Sequence, residues 1–236
     1  ADKYRVPRVC FINKMDRVGA DFEHCLRSIR QRLGAHPVPI QYPIGKEDSF
    51  IGVIDFIEPR AVIWLEDTLG AKFEVLPIES LWDQEFLKGR PEIANALRIS
   101  AISPEFYKEQ RDKVMEYIAE HDDVILEKYL AGHVLTSEEL RASVRRSTIA
   151  LKLVPVLPGS AFKNKGVQTL LDAVIDYLPS PMDAPPVEGS APDSDEPLLR
   201  RASDDQPFSA LAFKIASDPF VGHLTYIRVY SGVLKT

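Results

Sequence analysis

Cysteine is scarce: Cys10 and Cys25 are the only two among 236 residues, and they do not form a C-x-x-C pair. That scarcity argues against a disulfide framework. It fits two reduced thiols in a reducing compartment, so a cytoplasmic location is expected. Long apolar runs are missing too. No stretch approaches the roughly 20 residues of a membrane span and no signal-peptide pattern opens the chain, so no membrane association is expected. The chain does not begin with Met, and Ala1 is expected not to be a natural start. Positive charge is not in excess: 29 Lys and Arg stand against 35 Asp and Glu, a net charge of −6. A chain that held nucleic acid over its whole surface would be basic, so DNA is not an expected partner and any RNA must be met locally. His24, His36, His121, His133 and His223 are scattered without ligand spacing, and no metal site is expected from them. The absence with the largest consequence is the phosphate-binding sequence G-x-x-x-x-G-K-[ST]. Gly45-Lys46 comes nearest, but Glu47 follows it and Ile40 stands where the first glycine belongs. Without that sequence there is no loop of backbone N–H groups for phosphates, no phosphate lysine and no hydroxyl for magnesium.

What is present is an ordinary globular composition, 45% hydrophobic and 27% charged, enough for a core and for more than one domain. Val6 to Ile12 reads as a short buried strand with Pro7 near its start, where a missing N–H is tolerated. Phe22, Cys25, Leu26, Ile29 and Leu33 recur at helical spacing, and Gly34 supplies the stop. His36 to Gly45 looks extended, and residues 50–76 predict two or three antiparallel strands. Ser103-Pro104 opens a helix that can run to Leu130, with a break near His121-Asp122 and an end at Gly132. Thr136-Ser137-Glu138-Glu139 is a capping box for a helix carrying Leu140, Val144 and Ile149 on one face. A second buried strand ends at Gly159-Ser160. The helix after it carries Val167, Leu170, Leu171, Val174, Ile175 and Leu178, and Pro179 stops it. Residues 181–207 are rich in Pro, Ser and Asp and read as a linker. Beyond them, alternation predicts two strands joined at Asp218–Gly222, a hairpin that needs a larger β domain to be stable. Trp64 and Trp82 are read as packing residues.

Asn13-Lys14-Met15-Asp16 lies at the carboxyl end of the first strand, where open α/β sheets bind ligands. Guanine presents two adjacent donors, N1–H and the exocyclic amine, and one carboxylate, Asp16, can accept both. Adenine offers neither and would leave Asp16 unpaired, a difference worth about 10⁴-fold or more. Asn13 can approach N7 and tie neighbouring loops together, and the stem of Lys14 can lie across the ring. An N-K-x-D tetrapeptide arises by chance in about one chain in thirty of this length, so it needs a companion. Gly159-Ser160-Ala161-Phe162-Lys163-Asn164-Lys165-Gly166 provides one, again between a buried strand and an amphipathic helix. Its small residues let backbone N–H groups approach guanine O6, with Ala161 as the expected donor, Ser160 orienting Asp16 and Phe162 covering the base.

NKMDRVGADF, GSAFKNKGVQTLLDAVIDYLPSPMD and SDDQPFSALAFKIASDPFVGHLTYIRVYSG resemble the matching segments of the bacterial elongation factor G family of translational GTPases, and the likeness extends through nearly the whole chain. The resemblance implies a GTP-driven ribosomal translocase. Its fold would be α/β: the C-terminal part of a P-loop-type G domain with an α+β insertion, followed by the first strands of a β-barrel domain. Mapped onto this sequence, 1–45 and 151–180 belong to the G domain, 46–150 to the insertion, 181–207 to a linker and 208–236 to the barrel. Asn13, Lys14 and Asp16, with Met15 between them, match the family's guanine motif; Ser160 and Ala161, with Phe162, match its second base-contacting loop. The implied ligand is GTP or GDP, met by base contacts only, with magnesium expected only in an intact protein. The implied partner is the ribosome, with large-subunit stalk proteins meeting the insertion.

Residues 77–117 fit the family pattern poorly and are longer than its usual insertion. Two D-x-x-G matches, Asp16-Arg17-Val18-Gly19 and Asp67-Thr68-Leu69-Gly70, are read as coincidences, since the first overlaps the base motif and the second falls in the insertion. GTP hydrolysis depends on positioning and charge stabilisation by the missing parts. The chain is therefore expected to hold the base-reading half of a GTPase site without turnover, the phosphate half lying upstream of Ala1 in a longer protein. The alternatives are a related release-factor or ribosome-protection GTPase, a non-catalytic interaction module, and a weak guanine-nucleotide binder.

Overall fold

Gly34 ends the first helix where the sequence places its stop, at φ 59°, and Asp21 opens it by accepting the His24 N–H at 2.8 Å. The computed structural model in which this is seen describes residues 1–65, 70–191 and 194–235. They form two units, Ala1–Leu178 and Pro179–Thr236. In the first unit, β1 (Cys10–Ile12), shorter than the expected strand, leads into α1 (Phe22–Leu33) and β2 (Pro37–Pro39). Then β3 (Gln41–Ile44), β4 (Gly52–Asp55), β5 (Arg60–Trp64) and β6 (Phe73–Pro77) pair in that order as an antiparallel sheet. Three of these strands fall in the stretch 50–76, and Gln41–Ile44 adds a fourth. The second D-x-x-G match, at Asp67–Leu69, lies outside the described residues.

Five helices follow: α2 (Gln84–Lys88), α3 (Pro91–Ile99), α4 (Pro104–Ala119), α5 (Asp123–Leu130) and α6 (Ser137–Ile149). The caps read from sequence are in place. Ser103 accepts the Phe106 N–H at 3.1 Å, and Thr136 and Glu139 cap each other reciprocally at 3.2 and 2.9 Å. The expected break near His121-Asp122 separates α4 from α5, with Asp122 capping the second piece. The main core joins Ile44, Ile54 and Phe56 of the antiparallel sheet and its turn to Ile93, Leu97, Ile118, Ile125, Leu140 and Val144 of the helices.

The chain then re-enters the parallel sheet as β7 (Val154–Pro158), every residue of it buried, between β1 and β2, and leaves through α7 (Val167–Tyr177). Pro155 and Pro158 donate nothing to this central strand. Beside its ladders with β1 and β2, bonds at its two ends fasten it, from the Val154 N–H to His36 O and from the following Gly159 N–H to Ile12 O, at 2.9 and 3.0 Å. Gly166 precedes α7 at φ 87°, and a Cβ there would meet Pro158 O at 2.8 Å.

In the second unit, β8 (Val187–Ser190) and β9 (Pro197–Arg200) form a short hairpin inside the stretch 181–207, where composition predicts a linker. Its residues are exposed or half-buried, so it makes local hydrogen bonds without a core. β10 (Ser209–Asp218) and β11 (Gly222–Ser231) form a longer hairpin, and Asp218 closes its turn by accepting the N–H groups of Phe220 and Val221 at 2.8 and 2.9 Å.

Candidate guanine-base site

Ile12 pairs with Pro158, so β1 and β7 end at the same level and the loops that follow leave the sheet side by side. Gly159 is the joint between them. Its N–H donates to Ile12 O and its carbonyl accepts the Met15 N–H, both at 3.0 Å. A Cβ at this position would lie 2.3 Å from the Phe11 ring and 2.6 Å from Lys165 O, so only glycine fits.

The two expected base-reading segments do come together. Asn13 Oδ1 accepts the N–H of its neighbour Lys14 at 2.8 Å and the N–H of Ala161 at 2.9 Å, bridging the loops. This bond differs from the sequence expectation in one respect. The Ala161 N–H, assigned to guanine O6, is engaged by Asn13 and can serve a base only by sharing that bond. Lys14 is exposed and left-handed, at φ 66°. Met15, the open position of the motif, is a core residue packed with Ile12, Phe22 and Leu26, and offers a ligand no side-chain contact. Phe162 is 92% exposed, free to lie against a planar ring.

The Asp16 side chain is 8% exposed, with Lys163 Nζ at 4.0 Å from Oδ2. Burial pushes its carboxyl up. The Ser160 hydroxyl, its own backbone N–H and the Lys163 and Arg17 cations outweigh that, and the group sits below its ordinary value. Asp16 is therefore ionised at neutral pH, an acceptor with no proton to donate. Ser160 is held behind it, buried and paired in both directions with Lys165 through backbone bonds of 2.8 and 3.0 Å. A fixed, ionised carboxylate can accept adjacent N–H donors from a flat ligand. The arrangement contains no paired nucleophile and base.

Lys163, near Asp16, and Lys165, paired with Ser160, have no role assigned by the sequence reading. Lys163 and Lys165 carry a weak signal, two cations in a loop otherwise built of small residues. Glu47, which breaks the phosphate-loop pattern in the sequence, lies against the Asp16 loop, where its Oε1 accepts the Gly19 N–H at 2.7 Å. Among the described residues no group of three or more His, Cys, Asp and Glu could hold a metal ion, and no helix is long and apolar enough to cross a membrane.

Comparison with known proteins places the chain in a family. Residues 1–180 match the family model of the elongation factor Tu GTP binding domain. The elongation factor G of Amoebophilus asiaticus (strain 5a2) is 50% identical over 235 residues, which cover 99% of this chain and 30% of that protein. A crystal structure from Thermus thermophilus superposes with a TM-score of 0.65 at 25% identity, covering 98% of this chain and 28% of the other. The chain thus spans about 30% of the length of the curated relative it matches. It belongs to the translational GTPase family that shares the elongation factor Tu GTP-binding domain, and within it is similar to elongation factor G.

Proposed function

We propose that this chain is the guanine-reading part of an elongation-factor-G-type GTPase, a protein that drives ribosomal translocation with GTP in the cytoplasm. In this reading residues 1–45 and 151–180 are the C-terminal part of the G domain and 46–150 are its insertion, a surface for large-subunit stalk proteins. Residues 181–207 link it to the opening strands of a β barrel at 208–236. The observation that carries the proposal is the bridge from Asn13 Oδ1 to the Ala161 N–H at 2.9 Å, which joins the two loops beside the ionised Asp16. Asp16 accepts from guanine N1–H and the exocyclic amine, Ser160 orients it, and Phe162 and the Lys14 stem flank the ring. The barrel reading is supported by the apolar residues that β10 and β11 leave uncovered, Phe213 at 62% and Ile215 at 71% exposure, since a hairpin of that kind is stable only within a larger sheet.

The residues present do not fit the phosphates or magnesium that accompany guanine nucleotides in this family. Glu47 stands where the phosphate loop needs a hydroxyl, and its carboxylate is engaged with the Gly19 N–H at 2.7 Å.

Base exchange tests the proposal. Asp16→Asn turns one of the two acceptors into a donor, which suits the oxygen of xanthine at C2 and opposes the guanine amine. GDP should bind about 10- to 100-fold more weakly and xanthosine diphosphate more tightly, read by NMR titration of the 236-residue chain. An unchanged GDP affinity refutes a base-reading role for Asp16.

A further inference from the structure

Both base loops are fastened from behind by Glu47, Phe50, Trp64 and Gly70, residues before, within and after the antiparallel strands β4 and β5. The Glu47 N–H donates to Met15 O at 3.1 Å, and Glu47 Oε1 accepts the Gly19 N–H at 2.7 Å. One residue therefore grips the loop on both sides of Asp16. On the other loop, Lys165 Nζ donates to Phe50 O at 2.8 Å. Lys165 is 5% exposed, and the same residue is the backbone partner of Ser160. A buried ammonium is costly unless its bonds are well made, so this one fixes where the Ser160 loop can sit. Further along, Gly70 O accepts Asn164 Nδ2 at 3.4 Å and Gln168 Nε2 at 3.0 Å, and the Trp64 indole N–H donates to Gln168 Oε1 at 3.1 Å. A Cβ on Gly70 would meet Lys163 O at 2.4 Å, so that approach is close.

Backbone conformation points the same way. Six described non-glycine residues have positive φ, and three of them, Lys14, Glu47 and Asn164, lie in these two loops and the turn that grips them. Such conformations persist only where the surroundings over-determine them.

We infer that Glu47 and Lys165 are positioning residues for guanine recognition, holding the Asp16 loop and the Ser160-Ala161 loop at the separation that a guanine edge requires. The inference rests on the base-reading function proposed above. Asp16 makes two hydrogen bonds to adjacent donors, and hydrogen bonding weakens steeply as distance and angle depart from ideal. Releasing either grip should therefore cost discrimination more than it costs folding.

The test uses the full chain and two probes, GDP and inosine diphosphate, which lacks the exocyclic amine. The unaltered chain should prefer GDP by about tenfold, the worth of one charged hydrogen bond. Glu47→Ala and Lys165→Met should bring that preference close to one while circular dichroism still shows a folded chain. Glu47→Gln keeps an oxygen for the Gly19 N–H and should restore most of it. If Lys165→Met does not fold, the two Glu47 variants decide. A preference retained in folded Glu47→Ala, or lost equally in Glu47→Gln, overturns the inference. No preference in the unaltered chain would instead show that base reading itself fails, and the inference would fall with it. A ligand-free measurement runs beside these: the Ala161 amide should exchange about tenfold faster in Glu47→Ala, with the amides of α4 unchanged. Unaltered exchange at Ala161 also overturns the inference.

Discussion

Asp55→Asn should remove a pH dependence that the fold carries in its core. Asp55 ends β4 and is 6% exposed. Its Oδ2 accepts Gln41 Nε2 and its Oδ1 accepts the Ile57 and Glu58 N–H groups, all at 2.9 Å. Burial nevertheless dominates. It pushes the carboxyl up to about 6, against the lowering effects of the Gln41 bond, Arg60, the Ile57 N–H and Arg141. The folded state thus holds this proton more tightly than the unfolded chain, whose Asp titrates near 3.9. The stabilising contribution is full below about pH 4 and is lost as pH rises through about 6, a total of ~3 kcal/mol at 1.36 kcal/mol per pH unit. Asp16 and Asp122, both held below their ordinary values, contribute with the opposite sign: their stabilisation is present above the unfolded value and lost as pH falls. They act alike in parent and variant and cancel in the difference. In the variant, the amide oxygen can keep the Ile57 and Glu58 bonds, while its NH₂ faces Gln41 Nε2. Gln41 can turn its amide over to meet it, because Gln41 Oε1 is buried without a hydrogen-bond partner. Urea unfolding of both proteins at pH 4, 5, 6, 7 and 8 is the assay. The variant's stability relative to the parent should rise by ~3 kcal/mol across that range, with the steepest change between about pH 4 and 6. A difference that does not vary with pH refutes the assignment of a raised Asp55.

Two further substitutions test the scaffold around the site. Gly159→Ala forces a Cβ to within 2.3 Å of the Phe11 ring; it should cost about 1–3 kcal/mol in urea unfolding and abolish any preference for GDP, and a variant of parental stability would mean that the joint is looser than its contacts indicate. Thr136→Ala removes one half of the α6 capping box, whose other half is Glu139, held down to about 2 by Lys128 and by the Thr136 backbone and hydroxyl; it should cost about 1 kcal/mol in thermal unfolding, with no change in nucleotide preference.

The sequence made local chemistry legible and left tertiary chemistry hidden, and the site contains both. Ser103 and Thr136 announce their helices because a cap is settled within four residues, and the bonds at Phe106 and Glu139 are found where those residues require them. Asn13, Asp16, Ser160 and Ala161 are legible for the same reason, each belonging to a short turn at a strand end. α2 and α3 are not among the expected helices although their signals are present: Asp83 caps the first by accepting the Glu85 and Phe86 N–H groups, and Pro91 opens the second, whose Ile93, Ala96 and Leu97 share one buried face. β1 is shorter than the apolar run of Val6 to Ile12 because Val6 is half exposed and pairing with β7 begins only at Cys10. The bond from Asn13 to Ala161 spans 148 residues of sequence, and that from Lys165 to Phe50 spans 115. That Asn13 ties neighbouring loops together is expected from the sequence, although only the fold names Ala161 as the partner; nothing in Lys165 advertises Phe50. Glu47 is the instructive case. Read along the chain, it is the wrong residue in a failed phosphate loop; in the fold, it closes the turn that carries Asp16. Two tetrapeptides can thus suggest a base site while saying nothing of what holds them together, which lies in residues that look like an unrelated insertion.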